Sequence, residues 1–545
     1  MMRFICVCAL LLGGFSARSA PVRLVVLVSL DQFRQDYLAA ASPFLGEGGF
    51  RRLMEEGAQF TSALYAHAAT TTGPGHAALM TGSYANQNGI IGNSWIDRAT
   101  GRGVSCVADP AHRLVGAPGE GRSPALLIGS TFGDALRLHY GFRAKVVSLS
   151  HKDRAAVLMG GKLGDAVYWL QDSLFVTSTY YRDSLPGWVN MFNASGAGRA
   201  WFGSTWEPLL PPDACARCGR DDAPWEDAPP WFGRAFPHPI RGEDSSRITR
   251  SYYEALMMSP FGCSFLEAFA RAAVEGENLG ADDTPDLLCV SFSTPDYAGH
   301  AFGPSSREMF ELVLRLDRVL AGFFEYLDRR VGPGRLLLAL TSDHGISPIP
   351  EFVLENRPQS GSGRTNPAEF QAFCASVLEG VLGKPPEGGS WIRRVSEGQI
   401  YLADAALRQG DARREEAAGL LAARLMGRDD ISLACSRTQL LEWAWSSPTL
   451  ERMRRSFHPA RSGDVFFALR PYRLRDGGAG GASHGQPYDH DAHVPLLIAG
   501  PGVQGGLYSG LCSPVDLAPT LAVLLGIEFP AGREGRPLVE ALARP

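Results

Sequence analysis

The sequence predicts an α/β sandwich: a largely parallel central sheet between helices, with long additions capping its functional edge. Short apolar, β-branched runs recur along the 545 residues, at Leu24–Leu30 and at residues 145–149, 287–292, 336–340 and 494–499. Continuous runs of this length, alternating with helical patterns, are what strands buried on both faces look like. Polar clusters adjoin them. Asp31 closes the first run, Asp296 follows the third and Asp343 the fourth. In doubly covered sheets functional groups collect in the crevice beyond the carboxyl ends of the strands. Three carboxylates are therefore expected in one crevice.

Taken in order, the chain opens on MMRFICVCALLLGGFSARSA, with Arg3, an apolar stretch through Leu12 and small residues at Ala17 and Ser19. This pattern predicts a secretory signal peptide over residues 1–20, too short to anchor stably in a bilayer. Residues 21–545 then form one catalytic domain. Two stretches interrupt its strand–helix rhythm and are expected to be insertions over the crevice. The first, at about 155–283, is rich in Trp, Pro and Gly, and Trp201, Trp206 and Trp231 are expected to build small local cores. It also carries Cys215 and Cys218 as a CxxC with no second Cys pair nearby, which in an oxidising compartment reads as a local disulfide. The second, at about 350–463, includes the amphipathic stretch ARREEAAGLLAARLMGR. No internal repeat is visible.

Composition narrows the function. With 45% hydrophobic and 20% charged residues the chain has the make-up of a soluble globular protein, and no later stretch approaches the ~18 apolar residues of a membrane span. A formal charge of −5 without any block of Lys or Arg excludes nucleic acid or an anionic membrane as the main partner. Affinity for an anionic substrate must come from a local site. Nothing in the sequence sets an oligomeric state.

The residues near the strand ends supply such a site. Besides Asp31 there is D-x-x-x-H at Asp296 and His300, D-H at Asp343 and His344, and a loop with His484, His490 and His493. Carboxylate oxygen and imidazole nitrogen are the donors of catalytic zinc, and three of each suffice for two ions. Two ions ~3.5–4 Å apart can clamp the attacking and leaving oxygens of an in-line displacement. Between the first and second carboxylates lies TTTGPGH. Pro74 suits the first turn of a helix and sets Thr72 near its N-cap, where exposed amides and the helix dipole favour a bound phosphate. Coordination to a metal turns such a hydroxyl into a nucleophile.

The segments LVVLVSLDQFRQDYL, TTTGPGHAALMTG, GIIGNSW, SLSHKDRAAVLMGG, STPDYAGH, TSDHG and SHGQPYDHDAHVPLLIAGPG, with the tail PVDLAPTLAVLLGI, together resemble the alkaline phosphatase superfamily. The likeness is to its PafA-type phosphatases, relatives of the nucleotide pyrophosphatase/phosphodiesterases, and runs in family order from residue 24 to about residue 530. The resemblance implies Thr72 as nucleophile and a ligand of one zinc with Asp31, Asp343 and His344. Asp296, His300 and His484 would hold the other zinc, with His493 the rival to His484. It further implies that Asn93, Lys152 and Arg154 contact the phosphate, and that diesterases of the superfamily lack the Lys–Arg pair.

That pair decides between monoester and diester. A monoester dianion leaves its phosphoryl oxygens free for cationic donors, and Arg and Lys suit them as a planar fork and a mobile charge. The expectation is therefore an exported phosphate monoester hydrolase, in the bacterial periplasm, acting on small-molecule monoesters through a phosphothreonine. The alternative is a phosphodiesterase or nucleotide pyrophosphatase with the same metals and nucleophile. A sulfatase is disfavoured because TTTGPGH lacks the C/S-x-P-x-R signature typical of those enzymes. A non-catalytic zinc protein fits poorly, since structural zinc sites are closed and commonly Cys-rich.

Overall fold

The computed structural model describes residues 22–543 apart from 215–218, 387–388, 404–405, 407–409, 479 and 530–532. The expected signal peptide and the Cys215/Cys218 pair lie outside the described residues. The six described cysteines, Cys106, Cys263, Cys289, Cys374, Cys435 and Cys512, are buried thiols.

A sheet of 11 strands organises the molecule. At its centre four parallel neighbours run in the order β4 (Leu336–Thr341), β1 (Leu24–Leu30), β3 (Asp286–Phe292) and β2 (Val146–Ser150). Ala166–Gln171 continues the parallel set beyond β2. The flanks turn antiparallel: β5 (Leu496–Ala499) pairs β4 in the opposite sense, and Leu174–Ser178 pairs Ala166–Gln171 likewise. The largely parallel sheet expected from the apolar runs is thus its core, and the last run joins it from an antiparallel flank.

β1 explains why the sheet must be covered on both faces. All seven of its residues are buried. Leu24, Val26, Val28 and Leu30 pack into one apolar core, whereas Val25 and Leu27 pack into the core on the opposite face. Each such side chain contributes roughly 1.5–3 kcal/mol on burial. A one-residue slip would exchange the two sets, so the register is strongly held.

The expected insertions contribute differently. Between 155 and 283, residues Ala166–Ser178 supply the two sheet strands just named, and Pro260–Gly276 is a helix packed in the main core. Trp206 is fully buried in that same core and Trp201 and Trp231 pack against it, rather than forming separate local cores. The stretch 350–463, with the strand that follows it, builds a four-stranded sheet of Ile392–Ser396, Gln399–Leu402, Val465–Leu469 and Ile431–Ser436. That sheet has its own apolar core with Phe370, Leu378 and Leu421. Among the described residues no helix is long and apolar enough to cross a membrane.

Candidate active site and metal centre

Because β4, β1, β3 and β2 are parallel neighbours, the residues after their carboxyl ends meet. Asp31 follows β1. Asp296 lies in the first turn of α3 (Thr294–Phe302), and His300 one turn later on the same helix. Asp343 and His344 follow β4, and Lys152 caps α2 (Asp153–Gly160) after β2. Asp31, Asp343 and His344 are fully buried, and Asp296 and Lys152 nearly so.

Two overlapping donor groups result. One ligand atom each from Asp31, Asp343 and His344 falls within 4.8 Å of the others, as does one each from Asp296, His344 and His484. His300 joins the second group by placing Nε2 3.3 Å from Asp296 Oδ1, and His484 Nε2 lies 3.6 Å from the same oxygen. The rings of His344 and His484 stack with centroids 3.9 Å apart, so His344 stands at the border of the two groups. In all three histidines Nδ1 is engaged by a backbone carbonyl: Gly345 for His344, Ala482 for His300 and Thr70 for His484. That bond fixes the tautomer and turns the bare Nε2 into the crevice, as metal-ligating imidazoles require. Asp343 Oδ2 and His344 Nε2 are buried without a hydrogen-bond partner. A cation-binding cluster explains such orphans, and the N/O donor set suits zinc. His493 is elsewhere, its Nε2 on the Thr61 carbonyl at 2.8 Å.

Electrostatics point the same way. Burial, and then the charge of Asp31, push the Asp343 carboxyl well above its usual range. Burial would also raise Asp296, but Lys152, followed by His300 and His484, holds it well below. The Lys152 ammonium stands 2.7 Å from Asp31 Oδ2 and 2.5 Å from Asp296 Oδ2, tying the two groups together. Burial, then the neighbouring His344 and His300, lower His484 well below the ordinary imidazole value, keeping it neutral for ligation.

Thr72 opens α1 (Thr72–Thr81), whose ten residues are all buried, with Thr71 rather than Thr72 as N-cap. Thr71 makes no side-chain capping bond. Instead Asn93 Oδ1 accepts from Gly73 N–H at 2.7 Å. The amide expected for phosphate is therefore occupied by Asn93, whose oxygen is committed and whose Nδ2 end is left as donor. Arg154 Nη2 donates to Thr72 Oγ1 at 3.4 Å. Its neighbour Asp153 pairs with Arg122 at 2.8 Å, which separates the KDR triplet into one outward acid and two inward bases. Gly75 allows the close approach of helix and ligand loop, because a Cβ there would lie 2.2 Å from the Asp343 carbonyl oxygen. Below it, His76 bridges the Thr72 carbonyl and Ser291 Oγ and stands 3.3 Å from Asp343 Oδ2.

Two further residues give no sign of themselves in the sequence. Gln32, in the left-handed region at φ 66°, donates its backbone N–H to Asp343 Oδ1 and Nε2 to Asp296 Oδ1. Glu397 arrives from the four-stranded unit and accepts the Asn93 N–H at 3.0 Å.

The family model described as type I phosphodiesterase / nucleotide pyrophosphatase matches residues 25–360. The chain belongs to that family. Within it, alkaline phosphatase PhoV of Synechococcus elongatus is 33% identical over 97% of this chain and 94% of its own. Alkaline phosphatase PafA of Elizabethkingia meningoseptica is 31% identical over 98% and 97%. A crystal structure of wild-type PafA superposes with a TM-score of 0.88 at 30% identity, covering 97% of this chain and all of that one. A PafA variant altered at one threonine, one asparagine, one lysine and one arginine superposes at 0.86. The chain therefore stands on the alkaline phosphatase side of the type I phosphodiesterase family. The family model ends before Glu397 and His484, so those two elements of the crevice lie outside the stretch it matches.

Proposed function

We propose that this protein is an exported phosphate monoester hydrolase that uses Thr72 as nucleophile beside two zinc ions. The observation that carries the reading is the pair Lys152 and Arg154, a buried ammonium among the ligand carboxylates and a guanidinium on the Thr72 hydroxyl. The four residue types altered together in the PafA variant recur here, in the same order, as Thr72, Asn93, Lys152 and Arg154.

One zinc would be held by Asp31, Asp343, His344 and Thr72, and the other by Asp296, His300 and His484. When bound, the ions supply Lewis acidity at the attacking and leaving oxygens and lower the pKa of water toward neutrality. The chain does the rest. Arg154 stabilises negative charge on Thr72 Oγ1. Thr72 Oγ1 gives up its proton to solvent and forms a bond to phosphorus while the bond to the leaving oxygen breaks; that oxygen takes a proton from solvent, giving a phosphothreonine and the free alcohol. Water oxygen then loses a proton and bonds phosphorus, the P–Oγ1 bond breaks, and Oγ1 takes up a proton, so that Thr72 is restored with release of inorganic phosphate. Asn93 Nδ2, Lys152 and Arg154 hold non-bridging oxygens throughout, the positioning and charge stabilisation that dominate phosphoryl transfer. A diester lacks one of those oxygens, which disfavours the phosphodiesterase reading. Small soluble monoesters fit this chemistry, and the leader-like sequence pattern of residues 1–20 supports export to the periplasm.

The test is Thr72→Ala. Turnover is expected to fall by on the order of 10⁴-fold or more, as for loss of a nucleophile elsewhere, while zinc content measured by elemental analysis stays close to wild type. Undiminished turnover would overturn the assignment.

A further inference from the structure

The four-stranded unit meets the catalytic crevice at the hairpin between its first two strands. Strands Ile392–Ser396 and Gln399–Leu402 are joined at Glu397, which adopts φ 50° and turns its carboxylate toward the loop carrying Asn93. Glu397 Oε1 accepts the Asn93 N–H at 3.0 Å, and Thr71 Oγ1 donates to Oε2 at 3.4 Å. The fit is close. Gly92 faces the carboxylate, and a Cβ there would lie 2.1 Å from Oε2. Arg394 Nη2 on Ser94 Oγ at 2.9 Å fastens the same hairpin to the same loop. Thr71 spends its hydroxyl on Glu397 rather than on capping α1, and the cap is made by Asn93 Oδ1 instead. A chain of contacts thus runs from the second insertion through Glu397 to the Asn93 backbone, and from the Asn93 side chain to the amide next to Thr72.

We propose that Glu397 is a positioning residue of the phosphate site. It holds the Asn93 backbone so that Oδ1 stays on Gly73 and Nδ2 stays presented to a phosphoryl oxygen. The inference rests on the phosphatase reading, since it assigns Asn93 to the phosphate. It adds that the second insertion is part of the catalytic apparatus and not only a cover. Glu397 does not itself touch the reacting atoms, so its effect must vanish when Asn93 has no side-chain amide to position.

The experiment is a double-mutant cycle on the zinc-loaded full-length enzyme with p-nitrophenyl phosphate, using Glu397→Ala, Glu397→Gln, Asn93→Ala and Asn93→Ala/Glu397→Ala. Glu397→Ala is expected to lower kcat/KM about 10- to 100-fold, the scale of a misplaced substrate-binding group. It should also weaken inhibition by inorganic phosphate. Glu397→Gln keeps an acceptor for the Asn93 N–H and should recover part of the loss, and it serves as the test variant if the alanine protein does not fold. In the Asn93→Ala background the same change should cost less than about threefold, because coupled residues are not additive. Equal losses in both backgrounds, or full activity in Glu397→Ala, would overturn the inference. Wild-type enzyme that leaves the monoester intact would instead remove the phosphatase reading on which it stands.

Discussion

Gln32 illustrates how much of the proposed metal centre would depend on residues that are not ligands. Its backbone and side chain each donate to a different carboxylate of the cluster, Asp343 and Asp296, from a left-handed conformation uncommon for a residue with a side chain. Gln32→Leu preserves much of the volume and removes the donor to Asp296. Outer-shell donors of this kind are worth about 10- to 100-fold in metal affinity. Chelator competition should show zinc held that much more weakly, and unaltered affinity would mean the amide orients nothing. Glu226 is not one of the donors of this cluster. Burial, then the nearby Glu308, raise its carboxyl from 4.5 to about 9. A raised carboxyl favours the folded state below the unfolded pKa and loses that contribution as pH climbs through the folded one. Glu226→Gln should therefore match wild type in Tm near pH 5 and exceed it near pH 10. A constant Tm difference across that range would contradict the shift.

At the scale of elements, the decisive contact is helix α1 against the loop after β4. Gly75 leaves room for the Asp343 carbonyl, and Gly75→Ala places a methyl 2.2 Å from backbone oxygen. One of the two elements must move, at the ~1–3 kcal/mol typical of overpacking. The variant should fold with a modestly lowered Tm, yet lose activity out of proportion, because Thr72 rides on the displaced helix. Activity close to wild type would mean that the loop yields freely. The strands and their terminal carboxylates were legible in the sequence because apolar runs and strand-end polar groups are local patterns. The same holds for Lys152 and Arg154, two residues apart on one helix start. Gln32 and Glu397 were not legible. Their roles depend on a left-handed backbone and on a hairpin that meets Asn93 from 304 positions away. Thr72 does stand near the cap of α1, directly after Thr71, but the capping acceptor itself was not legible for a related reason: it comes from Asn93 and not from the adjoining threonines.

Over the whole molecule, charge has to be balanced across a buried crevice. Three carboxylates meet there with one ammonium among them, and cations bound at the proposed sites would complete the balance. A cation that binds only the folded state stabilises it by mass action. Chelation should lower Tm and abolish activity together, with zinc restoring both and magnesium restoring them poorly, given the imidazole ligands. Recovery with magnesium alone would contradict the zinc assignment. The two sheets then divide the work: the large one gathers the proposed metal ligands with Lys152 and Arg154 at its carboxyl edge, and the small one closes over Asn93. The account's central claim, that this crevice is built for a phosphate dianion, is tested most directly by kcat/KM for p-nitrophenyl phosphate and bis-p-nitrophenyl phosphate. Both are measured on the zinc-loaded enzyme and on Lys152→Ala/Arg154→Ala. Wild type should prefer the monoester strongly. The double variant should lose most of that preference, as charged hydrogen bonds of ~1.5–3 kcal/mol each are removed. A diester preference indifferent to the two substitutions would contradict the account and place the enzyme among the phosphodiesterases.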